Sequence, residues 1–296
     1  MMLREIEYLK KLAENGGPEE NQYEELGEMY KSLNQRRKKG MISEEEVMRI
    51  WQALPDIYCT TDTMQGYVLM KPHGYSGDFV VIERIYSGWL SPKQHLINWD
   101  RFFHCQEAPR AVVNRKKYFI DLLRSFNPTD AKREVLNIGC GPCQDIVEFL
   151  SAGDSQIFFE CVDYDKDAIE YSYNKIKEKG FLNNVEFFRE NAFKFKPSRE
   201  YDLIWSAGLF DYLDEKTFKM LLTKMLNFVK TGGKVVIGNF SLDNPTRDYM
   251  ECGNWFLYHR SPDDLIKIAS ECGVAPEKIS VKSESLGVNL FLHISR

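Results

Sequence analysis

The feature that most constrains the fold is a regular alternation of apolar runs and amphipathic segments from Arg133 onward. Runs such as "REVLNIGC", "IFFECVDYD", "NVEFFREN" and "YDLIWSAG" predict buried strands. The segments between them, such as "KDAIEYSYNKIKEKG", have the apolar spacing of helices. Alternation of this kind is typical of a parallel sheet with helices on both faces.

The last two apolar runs differ from the others because only a tight turn around Leu286 and Gly287 separates them. They predict an antiparallel hairpin. In the sequence, the hairpin comes after the fifth strand, "KVVIGNF", and after the two helices that flank this strand. The helix before that strand is predicted to cover "EKTFKMLLTKMLNFVKTGG". We therefore predict an α/β fold, with a doubly wound, mostly parallel seven-stranded sheet, an antiparallel C-terminal hairpin and a helical N-terminal accessory domain.

The N-terminal part has the spacing and the breakers of several helices. Ser43 followed by Glu46 predicts a capping box, and Asp78 can cap the helix "FVVIERIY". The stretch "NWDRFFHCQEAPRAVVNRKKYFIDLLRSF" predicts one long helix that is kinked near Pro109. We predict a helical cap or substrate domain over residues 1–115 and a nucleotide-binding domain over 116–296.

Composition excludes several classes of protein. The chain has 296 residues and a net charge of −5, so nothing indicates nonspecific binding to nucleic acid. It has no apolar run near the roughly 20 residues that cross a bilayer, and its N-terminus lacks the apolar stretch of a secretory signal. The seven cysteines are scattered, which predicts reduced thiols in a cytoplasmic protein and no metal site. The oligomeric state stays open, with a homodimer as one option.

The stretch "LNIGCGPCQD" admits two interpretations. Cys140 and Cys143 have the spacing of a redox dithiol, whereas Gly139 and Gly141 have that of a ligand-binding turn between a strand and a helix. Asp163, at the end of the second strand, could accept both hydroxyls of a ribose. The second interpretation uses all of these features and predicts an adenosine-containing ligand.

From Arg133 to the C-terminus the chain resembles the class I, Rossmann-like methyltransferases that depend on S-adenosylmethionine (SAM). The resemblance rests on "VLNIGCGPC", "FECVDYDKDAIEYS", "VEFFRENAF", "YDLIWSAGLFDYL" and "GGKVVIGNF". It implies SAM as cofactor and S-adenosylhomocysteine as product. Asn137 and Cys143 depart from the family, which usually has an acid and a glycine there. The implied cofactor-binding residues are Gly139, Cys140, Gly141, Asp163, Tyr164, Asn191, Ala192, Ser206, Ala207 and Gly208.

Two other stretches combine aromatic and ionisable residues. "NFSLDNPTRDYMECGNWFLYHRSPDDL", after the fifth strand, suits a lid over an apolar substrate with an anionic end. "KPHGYSGD", with Lys71 and Asp78, is expected to close over cofactor and substrate, and Arg101 and His104 could contact a carboxylate. We predict catalytic roles for His259, Tyr75 and Arg247, although the sequence favours a structural role for His259 over that of a base. The predicted substrate-binding residues are His73, Tyr75, Arg110, Phe210, Tyr212, Asn239, Trp255, Tyr258 and His259.

The predicted reaction is methyl transfer to a small molecule, at a carboxylate or hydroxyl oxygen of an apolar or acyl substrate. "KPHGYSGDFVVIERIY" together with "WFLYHRSPDDL" is similar to a bacterial group that makes methyl esters of 3-hydroxy fatty acids as cell-density signals. Three alternatives stay open. They are N-methylation of a natural-product or amino-acid-like amine, SAM binding for regulation without turnover, and thiol-disulfide exchange.

Overall fold

The computed structural model describes residues 2–126, 132–153 and 156–296. These form two compact units. The first contains the residues up to Arg110 together with Pro245–Phe256, and the second contains Ala111–Asn244 and Leu257–Arg296. The division predicted from the sequence, 1–115 and 116–296, had left Pro245–Phe256 with the second part.

Helices and strands are numbered in chain order. The helices are α1 Met2–Glu14, α2 Tyr23–Lys38, α3 Glu44–Gln52, α4 Pro55–Tyr58, α5 Met64–Met70, α6 Phe79–Ser87, α7 Ile97–Cys105, α8 Glu107–Phe126, α9 Gln144–Ser151, α10 Lys166–Glu178, α11 Glu215–Leu226, α12 Arg247–Cys252 and α13 Pro262–Glu271. The strands are β1 Arg133–Ile138, β2 Ile157–Asp163, β3 Val185–Arg189, β4 Tyr201–Ala207, β5 Val229–Phe240, β6 Ile279–Ser283 and β7 Asn289–Ser295.

The seven strands form one sheet in the second unit, in the order β3-β2-β1-β4-β5-β7-β6. Strands β1 to β5 are parallel, and β7 runs antiparallel to both β5 and β6. The predicted fold, a doubly wound sheet that ends in an antiparallel hairpin, is confirmed. The chain reverses its direction of winding between β1 and β4, and ligands of such sheets bind at the carboxyl ends of the strands at that point.

Both faces of the sheet carry a hydrophobic core. On one face, Phe119 of α8 stacks on Trp205 of β4 with the ring centroids 4.4 Å apart, and Ile146 of α9 belongs to the same cluster. On the other face, Leu222 of α11 and Leu265 of α13 pack with β4 and β5. Burial on both sides explains why the strands are apolar along most of their length.

Two predicted elements are wrong. The long helix predicted around Pro109 is two helices, because Gln106 has an extended backbone between α7 and α8. Pro109 lies in the first turn of α8, where a missing N–H breaks no helical hydrogen bond, so no kink results. The helix before β5 ends at Leu226, and β5 begins at Val229, so most of "NFVKTGG" is strand.

Cap residues in the first unit follow the sequence. Ser43 and Glu46 form the predicted capping box at the start of α3. The carboxylate of Asp78 accepts the N–H groups of Val80 and Val81 and so caps α6. The core of this unit is aromatic, and the hydroxyls of Tyr30 and Tyr58 are 2.5 Å apart within it.

A network of charged and polar side chains joins α12 to α2 within the first unit. The amide of Asn34 donates to Glu251 over 2.8 Å, and the Lys38 ammonium lies 2.7 Å from the same carboxylate. The Arg247 guanidinium is also 2.7 Å from Glu251. Burial by itself would raise the pKa of Glu251, but these three donors lower it to about 2. This network explains why Pro245–Phe256 belongs to the first unit.

Among the helices of the described residues, none has both the length and the hydropathy that crossing a bilayer requires.

The Glu251 network predicts an acid-sensitive contribution to stability. Because the folded pKa lies below the ordinary value of 4.5, ionised Glu251 stabilises the fold above pH 4.5 and this contribution is lost as pH falls toward 2. It amounts to roughly 2–3 kcal/mol. Glu251→Gln should therefore destabilise the protein at pH 6 by more than it does at pH 3, measured by urea unfolding. The exposed Glu24 of α2, changed to Gln, is the control. An equal destabilisation by Glu251→Gln at both pH values would contradict the assignment.

Helix α11 offers a matched pair for testing the packing against the sheet. Leu222 is fully buried, whereas Met220 is 55% exposed on the same helix. Leu222→Ala should lower the free energy of unfolding by about 2–5 kcal/mol, because it removes a side chain from a close-packed core. Met220→Ala should change it by about 0.5 kcal/mol or less. Similar effects of the two substitutions in chemical denaturation would refute this packing.

Candidate functional site

The glycine-rich turn between β1 and α9 is held by backbone hydrogen bonds to the end of β2. The N–H groups of Gly139 and Cys140 both donate to the carbonyl of Val162, over 2.8 and 3.2 Å. Gly139 has φ +68° and Gly141 has φ +53°, values at which a side chain is strained. A Cβ added at Gly141 would meet no atom within 4 Å, so open space adjoins the turn there.

Asp163 connects this turn to β2. Its Oδ2 accepts the N–H of Gly141 and its Oδ1 accepts that of Asp165, each over 3.0 Å. Burial raises the pKa of Asp163, and these two hydrogen bonds oppose the rise. A carboxylate has about four acceptor positions. Two are used here, so the carboxylate retains capacity for further donors such as ribose hydroxyls.

The other predicted cofactor residues follow β2, β3 and β4 at the same edge of the sheet. Tyr164 is 73% exposed. Asn191 accepts the N–H of Phe193 over 2.8 Å, so its side chain shapes the turn after β3, and Ala192 packs against the core. After β4, Ser206 is buried and its hydroxyl donates to the carbonyl of Ile138, next to the glycine turn. Ala207 and Gly208 follow Ser206 and are both partly exposed.

The two cysteines of the turn are buried together with a third, Cys161 of β2. The three sulfur atoms lie within 4.8 Å of one another, a grouping that sequence spacing did not reveal. Hydrogen bonding with Cys143 and Cys161, together with burial, raises the pKa of the Cys140 thiol. A redox dithiol needs an exposed first cysteine, and both Cys140 and Cys143 are buried, so this environment disfavours thiol-disulfide exchange. Cys143 has φ +51°, the left-handed conformation that a glycine would adopt without strain.

Three charged side chains at this edge were missed by the sequence analysis. Asp145, in the first turn of α9, is buried, and desolvation raises its pKa to about 7. Asp211, after β4, is also buried, and desolvation raises its pKa to about 6. Its Oδ1 accepts the N–H of Phe240 over 2.6 Å. The third is Arg115 of α8, which is 5% exposed.

The burial of Arg115 could have been predicted from its position on the helix, although not from its residue type. It falls on the buried stripe of α8 that includes Ala111, Val112 and Phe119. The run "NRKKYF" around it reads as a solvated charged face unless this periodicity is followed. A cation on an apolar stripe indicates a buried charge.

The predicted substrate and catalytic residues divide between the two units. His73, Tyr75, Arg110, Arg247 and Trp255 belong to the first unit. Tyr75 and Arg110 are exposed, the His73 ring contacts that of Phe79, and Arg247 pairs with Glu251. Arg101 and His104 were the two residues expected to be able to contact a carboxylate. Arg101 is exposed, and the Nε2 atom of His104 is 2.7 Å from the carbonyl of Trp89.

The two stretches predicted to cover the substrate meet within the first unit. The ammonium of Lys71 donates to the carbonyl of Asn254 over 2.9 Å, and the hydroxyl of Ser76 donates to the same carbonyl over 3.2 Å. Lys71 and Asn254 both have positive φ, 47° and 55°. The turn over residues 71–78 and the end of Pro245–Phe256 are therefore joined.

The remaining predicted residues belong to the second unit, and several have structural contacts. Asn239 is fully buried, with its amide donating to the carbonyls of Phe240 and Tyr258. Phe210 is also fully buried, against Phe218. Tyr212 is partly exposed and Tyr258 is exposed.

His259 is buried, with hydrogen bonds to both of its ring nitrogens. Nδ1 is 3.2 Å from the carbonyl of Leu257, and Nε2 is 3.2 Å from the amide nitrogen of Asn244. A carbonyl accepts and an amide NH₂ donates, so these two contacts fit a tautomer with its proton on Nδ1. A role as base would first require the Nε2 contact to open.

Comparison with known proteins identifies the second unit. Residues 135–233 match a family described as "Methyltransferase domain". A stretch of 110 residues is 32% identical to malonyl-[acyl-carrier protein] O-methyltransferase 2 of Ilyobacter polytropus. That match covers 37% of this chain and 40% of the relative, so the chain spans about two fifths of the relative's length.

Solved structures share the fold at low sequence identity. A possible exported protein of Bordetella parapertussis superposes with a TM-score of 0.62, at 15% identity, over 73% of this chain and 78% of the other. The S-adenosylmethionine-dependent methyltransferase SibL superposes with a TM-score of 0.53, at 16% identity, over 88% and 76% of the two chains. Together, the strand order and the family match over residues 135–233 indicate that the second unit contains an S-adenosylmethionine-dependent methyltransferase domain.

Proposed function

We propose that this protein transfers the methyl group of SAM to an oxygen atom of a small apolar or acyl molecule, with a carboxylate as the favoured acceptor. The observation that carries the methyl-transfer part is the glycine turn, which Asp163 holds at the switch point of the sheet with open space beside Gly141. The relative from Ilyobacter polytropus, named as an O-methyltransferase of a malonyl group on acyl-carrier protein, supports an acidic acyl acceptor.

The residues at the carboxyl edge of the sheet fit the cofactor. SAM supplies a methyl group that is already activated by the positive sulfur atom. Asp163 has acceptor capacity for the ribose hydroxyls, and the Gly141 Cα has no atom near the position that a side chain would take. Asn191 and Ala192 would flank the adenine, and Ser206 to Gly208 would line the side on which the methyl group is transferred.

The state of His259 favours a carboxylate acceptor over a hydroxyl. A hydroxyl nucleophile needs a base within hydrogen-bonding reach, whereas a carboxylate attacks with a lone pair that is already free. The Nε2 atom of His259 is 3.2 Å from the amide nitrogen of Asn244, so this contact would have to open before His259 could act as a base. Catalysis would then rest on alignment of the two reactants and on exclusion of water.

The joined segments of the first unit would bind the acceptor. The turn over residues 71–78 and the stretch Pro245–Phe256 combine Lys71, His73, Tyr75, Arg247 and Trp255 and share the contact at Asn254. Cations and aromatic rings suit a ligand with one anionic end and an apolar body. A hydroxylated fatty acid has this character, and the similarity of these segments to makers of 3-hydroxy fatty acid methyl esters agrees with it.

A labelled-cofactor experiment tests the reaction. The protein is incubated with SAM carrying a ¹³C- or ³H-labelled methyl group and with fractionated extract, and labelled products are identified by mass spectrometry. We expect labelled methyl esters, which release methanol in mild base. A base-stable N-methyl product would refute the oxygen assignment. Cofactor binding without any labelled product would favour a regulatory SAM-binding protein.

The assignment of Asp163 is tested by a matched pair of substitutions. Asp163→Asn should weaken SAM binding about 10- to 100-fold in calorimetry, because hydrogen bonds to a charged acceptor contribute about 1.5–3 kcal/mol. Asp165→Asn is the control, since Asp165 caps α10 and asparagine caps a helix equally well. Unchanged affinity in Asp163→Asn would remove this residue from the cofactor site.

A further inference from the structure

Three buried cysteines lie together at the glycine turn. Cys140 and Cys143 belong to the turn between β1 and α9, whereas Cys161 belongs to β2. Their three Sγ atoms lie within 4.8 Å of one another, and none of the three residues is more than 6% exposed. All three are free thiols rather than members of a disulfide. Two separate stretches of chain therefore bring three sulfur atoms to one place.

The separation of these sulfur atoms suits the coordination sphere of a soft metal ion. Zinc binds thiolates at about 2.3 Å, so two sulfur ligands of one zinc ion are about 3.8 to 4.0 Å apart. From an upper limit of 4.8 Å, the side chains need to move by about 1 Å or less. Among the residues that the structure describes, no further His, Cys, Asp or Glu joins the group, so it offers the three protein ligands of an open zinc site.

The backbone at Cys143 is a second, independent observation. Its φ of +51° is left-handed, a conformation that is strained for a residue with a side chain. Cys143 also precedes α9 without forming a side-chain cap hydrogen bond, so capping does not account for this residue type. A small apolar side chain would fill the core without requiring a cysteine. Strain of this kind indicates a functional constraint, which here falls on the sulfur atom.

The charged groups around the three cysteines favour a cation. The carboxyl group of Asp145 interacts electrostatically with Cys161, and that of Asp163 interacts with Cys143. The ammonium of Lys175 acts on Cys143 with the opposite sign. Three thiolates around a divalent ion leave one negative charge in excess, and the Lys175 ammonium would offset it.

We propose that Cys140, Cys143 and Cys161 form a binding site for one soft divalent cation, such as Zn²⁺. On binding, each S–H bond is replaced by a metal–sulfur bond, the protons pass to solvent, and no electron is transferred. The ion would connect the glycine turn to β2 in addition to the backbone hydrogen bonds. This proposal replaces the prediction of no metal site, and it does not depend on the proposed function.

A cadmium titration tests the site, because Cd²⁺ binds thiolates as Zn²⁺ does and cadmium–thiolate bonds absorb in the ultraviolet. The full chain is kept reduced with a phosphine, and the exposed Cys59 and Cys105 are changed to Ser to remove surface thiols. We expect this background protein to bind one equivalent of Cd²⁺ with a charge-transfer band. Cys161→Ala should weaken binding by about 100-fold or more, because even the loss of an outer-shell partner costs about 10- to 100-fold. Cys272→Ala, which changes a partly exposed cysteine outside the group, is the matched control.

A second variant and a second measurement keep the test independent of how well Cys161→Ala folds. Cys143→Gly removes another ligand and relieves the left-handed backbone. Its fold is checked by circular dichroism, and we expect it to lose the cadmium band. Zn²⁺ at about 100 times its Kd should raise the melting temperature of the background protein by about 5 °C or more. Neither ligand variant should show this rise.

Three outcomes would overturn the proposal. The first is a background protein that gives no cadmium–thiolate band, which would mean that the three cysteines only pack together. The second is cadmium affinity that stays the same in Cys161→Ala and Cys143→Gly. The third is a protein whose mass falls by two hydrogen atoms without bound metal, which would show a disulfide within the group. No arm of the test uses SAM, so failure here would leave the proposed function untouched.

Discussion

The hydrogen bonds of Asp163 connect the parts of the chain on which the candidate site depends. One carboxylate at the end of β2 accepts the N–H of Gly141 in the turn after β1 and that of Asp165 at the start of α10. Ser172 of α10 reinforces the same link by donating to the carbonyl of Gly141 over 2.7 Å. The two parallel strands and their following helices therefore hold the turn jointly. A turn fixed in this way is preorganised, so binding a ligand there requires little further ordering.

Buried charge has different consequences in the two units. In the first unit, Glu251 is satisfied by Lys38, Arg247 and Asn34, and the network attaches a distant stretch of chain to the helical unit. In the second unit, Arg115 is buried, and the buried Asp145 and Asp211 have raised pKa values. A satisfied network stabilises a fold, whereas incompletely paired charges at the edge of a sheet are characteristic of a binding site.

The fold was largely predictable from the sequence, because it depends on local periodicity. The strand order after Arg133, the closing hairpin and the caps at Ser43 and Asp78 were confirmed. The prediction failed where neighbouring structure overrides local preference. The residues "KTGG" belong to β5 because the strand pairs with β4 on both sides of them, at Val229 and at Lys234. The stretch around Pro109 divides at Gln106, although glutamine is not a helix-breaking residue.

The sequence by itself determined the class of the second unit, since the glycine turn and the acid at the end of β2 occupy fixed positions relative to the strands. Only the tertiary structure grouped Cys161 with Cys140 and Cys143, because these residues lie on neighbouring strands and loops that are distant along the chain. It also assigned Pro245–Phe256 to the helical unit. Finally, it distinguished Arg115 from the other cations of α8, because the solvation of a charge depends on the packing around it and not on its neighbours in sequence.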